Sequence, residues 1–264
     1  MSEKLTPPSP SELLETALKL PGRAGETYSK FRTLSLGNQA LMMMQSQIIE
    51  PQETYKGWLA LNRQVKKGSK AKAIYVPMFR KQEKDNGDEE KRLSGFKLVN
   101  CMFGVSDTEG DDLPEYEPLT WSKECALGAL AIREVDYESL NGNAQGYSKG
   151  RDFAINPVAA YPFKTMQHEL SHIVHGHTTE ERLPEYQVHR GLYEFEAEGS
   201  AYLIMNELGA TDQFDAEESR HYIQQWLQGE QPDEKSIRGV LATADKIIKA
   251  GRPAVQVDEQ ADAA

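Results

Sequence analysis

The alternation of apolar and polar residues in the first half of the chain predicts both helices and strands. Ser9-Pro10-Ser11-Glu12 has the form of a helix start, in which Ser9 is the N-cap and Glu12 closes a capping box. A second helix is predicted over residues 37–49 and a short one over 58–65. Residues 71–79 and 95–105 have the composition of two strands, and the charged segment between them predicts a hairpin.

The second half of the chain has a mainly helical pattern. Helices are predicted over residues 122–133, 165–175, 193–208 and 215–227, and short strand-like pieces lie within 135–155. Acidic residues, two prolines and a glycine mark 109–119 as a linker between domains. The prediction is an α+β fold with one domain over 1–108, a second over 120–252 and a disordered tail over 253–264.

Composition indicates a cytoplasmic protein with no membrane span. Of the 264 residues, 39% are hydrophobic and 27% are charged, and no apolar run approaches the roughly 20 residues that a membrane helix needs. The N-terminal sequence lacks the basic start and apolar stretch of a secretory signal. Cys101 and Cys125 are far apart in the sequence, which favours two buried thiols in a reducing compartment.

The net charge of -11 disfavours nucleic-acid binding by the chain as a whole, but the charge is unevenly distributed. Residues 56–82 contain eight basic residues and no acidic one, whereas residues 185–264 contain sixteen acidic and seven basic ones. Aromatic residues lie among the basic residues of the 56–82 run, as single-stranded nucleic-acid binding requires. Trp58 and Tyr75 also fit buried core positions, so the spacing alone leaves DNA binding open. The candidate contacts are Trp58, Arg63, Lys66, Lys67, Lys70 and Lys72.

The segment His168-Glu169-Leu170-Ser171-His172 predicts a metal site of the peptidase type. Residues four apart lie on one face of a helix, so His168 and His172 can bind a single ion. Glu169 is then placed to act as general base towards a water molecule at that ion. The alternative interpretation is an exposed polar helix face on which both histidines are solvated.

A second acidic segment, Glu194-Phe195-Glu196-Ala197-Glu198, lies at the start of the next apolar helix. If this helix returns antiparallel to the first, its carboxylates can reach the same ion. Glu194 and Glu198 share a face, and we assign Glu194 to the metal and Glu198 to a hydrogen bond with a ligand histidine. Glu196 points away and is expected to be solvated. His175 and His177 are out of phase with the site and suit surface or supporting roles better than ligation.

A donor for an oxyanion is a further requirement of peptide cleavage. His221 and Tyr222 are candidates, although packing of Tyr222 into the core fits the pattern better.

These motifs resemble those of the ArdC-type antirestriction proteins of plasmids and phages. The resemblance covers about residues 37–227. Its first part is carried by Trp58, Arg63, Val65, Lys67-Gly68, Ile74, Pro77, Gly95-Phe96, Phe103, Val105 and Thr108-Glu109-Gly110. Its second part is carried by Lys164-Thr165, the His168–His172 segment, Glu194, Glu196-Ala197-Glu198 and Ala201-Tyr202.

The resemblance implies an N-terminal α+β domain that binds single-stranded DNA, followed by a zincin-like metallopeptidase domain related to the ImmA/IrrE peptidases. It implies zinc, or manganese or another divalent ion, and supports Glu194 as the third ligand. The expected function is antirestriction on behalf of a mobile element. Two alternatives stay open: a site-specific protease whose substrate is a repressor or other regulator, and a DNA-binding protein with a metal-stabilised scaffold that does not turn over.

Overall fold

The structure is a computed structural model that divides into two compact units, residues 1–116 and 117–264. Each unit contains helices and strands, which confirms the α+β class. The predicted tail 253–264 and residues 114–119 of the predicted linker lie outside the described residues. The structure describes residues 6–19, 34–46, 50–83, 89–113, 120–138, 144–182, 184, 188–215, 217, 219, 223 and 232–252.

The first unit opens with a helix whose predicted start is present. Ser9 Oγ accepts a hydrogen bond from the Glu12 backbone N–H at 3.2 Å, and Glu12 Oε2 accepts one from the Ser9 N–H at 2.7 Å. In chain order the elements of this unit are α1 (Pro10–Lys19), α2 (Leu36–Gln45), β1 (Gln52–Thr54), α3 (Tyr55–Ala60), β2 (Arg63–Val65), β3 (Lys72–Glu83), β4 (Glu89–Gly104) and β5 (Thr108–Gly110).

β3 and β4 form the predicted hairpin, which is longer than the sequence indicated. With β1 they make an antiparallel sheet in the order β1-β4-β3. The base of the hairpin packs on α2, where Met42, Ile74 and Met102 belong to one buried cluster. The side-chain amide of Asn38 in α2 hydrogen-bonds to both the N–H and the C=O of Tyr75 in β3. The amide of Gln45 does the same for Ala73, and all four distances are 2.8–3.0 Å. Their amides therefore take the place of a neighbouring strand along the lower edge of β3.

The predicted helix over 58–65 is shorter and ends in a strand. α3 stops at Ala60, and Asn62 adopts a left-handed conformation with φ of 56°, after which β2 pairs with β5. The side chain of Trp58 is fully buried, and its Nε1–H donates to the Phe103 carbonyl at 2.9 Å. β5 includes residues 109 and 110, so the first unit extends into the segment that the sequence assigned to the linker.

Helices dominate the second unit around a small mixed sheet. The elements are α4 (Lys123–Leu130), β6 (Arg133–Glu134), β7 (Gly146–Lys149), β8 (Asp152–Ile155), α5 (Pro162–His175), α6 (Arg190–Glu207) and α7 (Glu234–Gly251). The sheet order is β6-β8-β7, with β6 parallel and β7 antiparallel to β8. α5 begins with Pro162 in its first turn, and Gly176, with a φ of 81°, caps its C-terminal end.

α7 was not predicted from the sequence, although its pattern is strongly amphipathic. Asp233 caps it by accepting a hydrogen bond from the Ser236 N–H at 2.7 Å. Its apolar face packs on α4, α5 and α6, and the buried residues there include Ile237, Val240 and Ile247. The predicted helix over 215–227 lies mostly outside the described residues. Among the helices that the structure describes, none has the length and apolar character needed to cross a membrane.

We expect Gly251→Ala to destabilise the second unit. The added Cβ would enter the indole of Trp121, whose Nε1–H donates to the Ile247 carbonyl at 3.2 Å. Overpacking of this kind costs about 1–3 kcal/mol. The control is Gly128→Ala in α4, where an added Cβ meets nothing within 4 Å and should stabilise the helix by about 0.5–1 kcal/mol. Urea unfolding followed by circular dichroism measures both, and equal midpoints for the two variants would contradict this packing.

Candidate metal centre

The centre is built on one face of α5, where His168 and His172 lie one helical turn apart. Their Nε2 atoms are 3.1 Å from each other. His172 is buried and His168 is partly exposed, with 6% and 18% of their side chains accessible. The Nε2 atoms of the two imidazoles therefore face the same point beside α5.

Glu194, in the first turns of α6, completes the group. Its Oε2 lies 3.4 Å from His168 Nε2 and 3.8 Å from His172 Nε2. Three donor atoms around a tetrahedral ion with bonds of about 2.0–2.1 Å are separated by about 3.3–3.4 Å. The three separations here, 3.1, 3.4 and 3.8 Å, bracket that spacing. Two imidazole nitrogens and one carboxylate oxygen thus have the spacing that a divalent ion requires.

Glu198 lies one turn after Glu194 and holds the outer side of His168. Its Oε2 is 3.0 Å from His168 Nδ1 and accepts a hydrogen bond from Lys164 Nζ at 2.7 Å. Burial alone would raise the pKa of Glu198, but His168 and Lys164 outweigh burial and lower the pKa to about 2. A carboxylate that stays charged here fixes the proton of His168 on Nδ1 and leaves Nε2 free for an ion.

His172 has a corresponding support in His177, for which the sequence left a surface role or a supporting role open. His172 Nδ1 is 2.9 Å from His177 Nδ1, and His177 Nε2 is 2.7 Å from Glu196 Oε2. Ser236 of α7 donates to the other oxygen of Glu196. When His172 Nε2 faces an ion, His172 Nδ1–H donates to His177, and His177 Nε2–H donates to Glu196.

The expectation of a solvated Glu196 is therefore wrong. Only 12% of its side chain is exposed, and it faces His177 and α7 rather than solvent. Burial would raise its pKa, but the hydrogen bonds from His177 and Ser236 lower it instead. Glu196 thus remains an anion that orients His177 and, through it, His172. The amphipathic pattern of residues 234–251 could have indicated this environment. It predicts a helix, α7, which packs on the side of α6 that carries Glu196.

His175 and His177 also form a group with Glu196 in which one ligand atom from each lies within 4.8 Å of the others. Both nitrogens of His177 already face partners, His172 and Glu196. His175 Nε2 is 3.0 Å from Ser200 Oγ, and burial, the largest cause, together with His177 lowers the pKa of His175 to about 4. We therefore assign this group to the support of His172.

Glu169 is directed towards the small sheet. Its Oε2 accepts a hydrogen bond from Ser148 Oγ at 2.6 Å, and Ser148 lies on β7, at the edge of the sheet. Only 8% of Glu169 is exposed. Ser148 therefore holds one oxygen of the Glu169 carboxylate in a fixed orientation.

A cleft of about 280 Å³ opens beside His168. It is lined by Tyr161, Lys164, His168, Glu198, Phe214, Asp215 and Ser219. The candidate oxyanion donors His221 and Tyr222 lie outside the described residues.

The structure gives several of the predicted DNA contacts a different environment. Trp58 has no exposed ring face. Arg63 binds Thr108 and the carbonyls of Gly110 and Asp111, and Lys72 forms an ion pair with Asp107 at 3.0 Å.

Three of the six predicted contacts, Lys66, Lys67 and Lys70, are exposed lysines. Lys66 donates to the Ser106 carbonyl at 3.0 Å, and Lys67 and Lys70 lie on the turn between β2 and β3. Of the predicted residues, Lys67 and Lys70 are therefore the ones best placed to meet a phosphate.

Comparisons with known proteins agree with this architecture. Residues 15–101 match the family model described as the N-terminal domain of anti-restriction factor ArdC, and comparison with curated proteins gives no match. Among solved structures, the chain resembles the metal-free antirestriction ArdC protein from the R388 plasmid, with 17% identity, a TM-score of 0.49 and coverage of 92% of this chain and 94% of that one. For the Mn(II)-bound structure of the same protein the values are 16%, 0.50, 92% and 97%. The family-model match lies within the first unit, and the resemblance to ArdC-type proteins is confirmed.

We predict that metal binding releases a proton from His168. Burial lowers the pKa of His168 in the metal-free protein, but the carboxylates of Glu194 and Glu198 outweigh burial and raise it to about 9. Because only the neutral ring can bind an ion, binding at pH 7.5 should release about one proton, and affinity should rise about tenfold per pH unit until the pH reaches that value. Calorimetric titration with Mn(II) in two buffers of different ionisation enthalpy measures the release. Identical enthalpies in both buffers would contradict the prediction.

Glu196 provides a test of the support behind His172. Glu196→Leu leaves the His177 N–H without an acceptor and should weaken metal binding about 10- to 100-fold, whereas Glu196→Gln keeps an acceptor and should lose less. Thermal unfolding of the metal-free proteins controls for a general loss of stability. If both variants bind metal as tightly as the wild type, His177 and Glu196 do not orient His172.

Proposed function

We propose that this chain, a relative of the ArdC antirestriction proteins, protects the DNA of a mobile element from restriction in the cytoplasm. In this proposal its first unit binds single-stranded DNA, and its second unit holds a divalent ion in a zincin-like site. The observation that carries the proposal is the convergence of His168, His172 and Glu194 within 3.8 Å, together with the shared ArdC domain and fold.

The arrangement of the centre supports hydrolysis of a peptide bond. A zinc or manganese ion bound by His168, His172 and Glu194 would supply Lewis-acid activation of a water molecule and of the substrate carbonyl. Glu169 would take the proton of the attacking water and return it to the amine that leaves when the C–N bond breaks. Ser148, at 2.6 Å, keeps the carboxylate in position for both transfers.

The cleft beside His168 is the place for the substrate side chain next to the bond that is cut. Its volume of about 280 Å³ suits one side chain, and the rings of Tyr161 and Phe214 form part of its wall. Lys164 is committed to Glu198 at 2.7 Å, so it strengthens the support of His168 as well as lining the cleft.

The proposal for DNA binding rests on the match to the ArdC N-terminal domain and on the run of basic residues over 56–82. Lys67 and Lys70 are exposed on the turn before β3, where they can follow a phosphate backbone. Lys66 lies next to them and also anchors the turn through the Ser106 carbonyl.

Two single-residue variants in α5 distinguish the proposed metal ligand His172 from the proposed general base Glu169. Purified wild-type protein should contain close to one divalent ion per chain, measured by mass spectrometry of the metal, and His172→Ala should lose it. Glu169→Gln should keep the ion and reduce peptide hydrolysis roughly 100- to 10,000-fold, because it removes the base and spares the ligands. Unchanged metal content in His172→Ala would refute the centre.

Protection of DNA in cells then decides what the centre contributes. If hydrolysis serves antirestriction, Glu169→Gln should lose protection of incoming phage DNA together with peptide hydrolysis. Full protection by Glu169→Gln would instead assign the metal a purely structural role.

A further inference from the structure

The loop that leads into α5 is an exposed apolar segment. This apolar loop, Pro157-Val158-Ala159-Ala160-Tyr161, is followed by Pro162, the first residue of the helix. No charged residue occurs from 153 to 163, although charged residues make up 27% of the chain. Val158 is 80% exposed and Tyr161 is 42% exposed. A continuous run of apolar residues that faces water in this way indicates a surface that meets a partner.

Hydrogen bonds hold the apolar loop in one conformation. Asn156 Oδ1 accepts a hydrogen bond from the Val158 N–H at 3.1 Å, and the Asn156 carbonyl accepts one from the Ala159 N–H at 2.9 Å. Gln145 Oε1 accepts a hydrogen bond from the Ala160 N–H at 2.9 Å. The backbone of the loop is therefore fixed before a ligand arrives, and a ligand loses little free energy in ordering it.

The apolar loop borders the cleft of the candidate metal centre. Tyr161 belongs to both, because it ends the loop and lines the cleft together with His168. Val158 precedes Tyr161 by three residues, so their Cα atoms are at most about 10 Å apart. An extended polypeptide covers this distance in about three residues and directs alternate side chains to the same side. A polypeptide with one side chain in the cleft would thus bring the side chain two residues away over the apolar loop.

We propose that the apolar loop binds an apolar side chain of an extended polypeptide substrate, two residues away from the side chain that enters the cleft. The inference rests on the proposed peptide hydrolysis and names the class of substrate that the centre takes. Because the cleft holds the residue next to the bond that is cut, the apolar side chain belongs to the third residue from that bond. Val158 contacts this side chain, and both apolar surfaces leave water when the substrate binds.

Two other occupants fit the apolar loop less well. A stable interface between two protein chains involves about 20–30 residues of each partner, whereas this loop offers five residues and suits a short segment of polypeptide. Binding at a membrane surface draws on basic residues beside the apolar ones, and none occurs from 153 to 163.

The test maps the bonds that the protein cuts in a mixture of peptides from a digested proteome, with the products identified by mass spectrometry. The wild-type protein should cut where the third residue from the bond, on one side of it, is apolar. Val158→Asp should lose this preference and favour lysine or arginine at that position, because a carboxylate now faces it. A residue with a merely structural role would not exchange one preference for another. Identical cleavage sites for the two proteins would overturn the inference.

Kinetics on one peptide found in this way separate binding from chemistry. Val158→Asp should raise KM about tenfold and change kcat less than about twofold, because the loop touches the substrate away from the reacting bond. A lysine at the third position should restore the KM of this variant. The matched control is Val188→Asp, which should keep the wild-type KM, since Val188 is 76% exposed but does not line the cleft. Val158 is so exposed that its variant should keep the wild-type unfolding temperature.

Peptide binding without turnover distinguishes this inference from the proposed function. The probes are a fluorescent peptide with leucine at alternate positions and the same peptide with serine in their place, and Glu169→Gln is the protein. If the wild-type protein cuts no peptide, hydrolysis is refuted. The apolar loop is still upheld if Glu169→Gln binds the leucine peptide more tightly and Val158→Asp in that background removes the difference. Equal binding of the two peptides, or unchanged binding in the double variant, would overturn the inference.

The other occupants have their own readouts. Val158→Asp could alter the oligomeric state, measured by sedimentation, or binding to vesicles of phosphatidylserine and phosphatidylcholine. Either change, together with wild-type cleavage sites, would assign the apolar loop to a second copy or to a membrane and overturn the inference.

Discussion

The centre of the second unit depends on one constraint: ionisable side chains buried between α5, α6 and α7 must find partners within the protein. His172, His177 and Glu198 are all nearly inaccessible to water. A buried polar group without a hydrogen bond costs more than the bond contributes when it is made. Each ring nitrogen of these histidines accordingly faces a carboxylate, a hydroxyl or another ring, or is directed at the point where an ion would bind. The same bonds that satisfy burial also set the orientation of the ligands.

Much of the site could be predicted because it follows from helical spacing. His168 with His172, and Glu194 with Glu198, are each four residues apart, so one short pattern fixes which side chains share a face. The support of His172 could not be predicted in this way. His177 comes after the end of α5, and the left-handed turn at Gly176 brings it back beside His172, with its N–H on the His172 carbonyl at 3.0 Å. No periodicity extends across such a turn.

In the first unit, the sequence did not predict which charged residues are free to meet a ligand and which hold the fold together. The run of basic residues predicts a set of DNA contacts, yet Arg63 and Lys72 use their charges to hold β5 and the adjoining turn. Trp58 likewise lies in the core rather than among the exposed residues. Which side of a strand faces solvent depends on pairing partners far along the chain, and here on a β-bulge at Ser94. Only the register of the hairpin reveals that Phe79 and Phe96 share a face.

The link from Ser236 to Glu196 has a consequence for the order in which the protein matures. α5 and α6 can meet as soon as both have been synthesised, and they already contain the three candidate ligands. The hydrogen bonds behind His172 are complete only when α7 has docked, because Ser236 supplies the last of them. A nascent chain that ends before α7 therefore presents ligands without their full support. In the proposed function, tight capture of an ion is therefore coupled to the docking of α7.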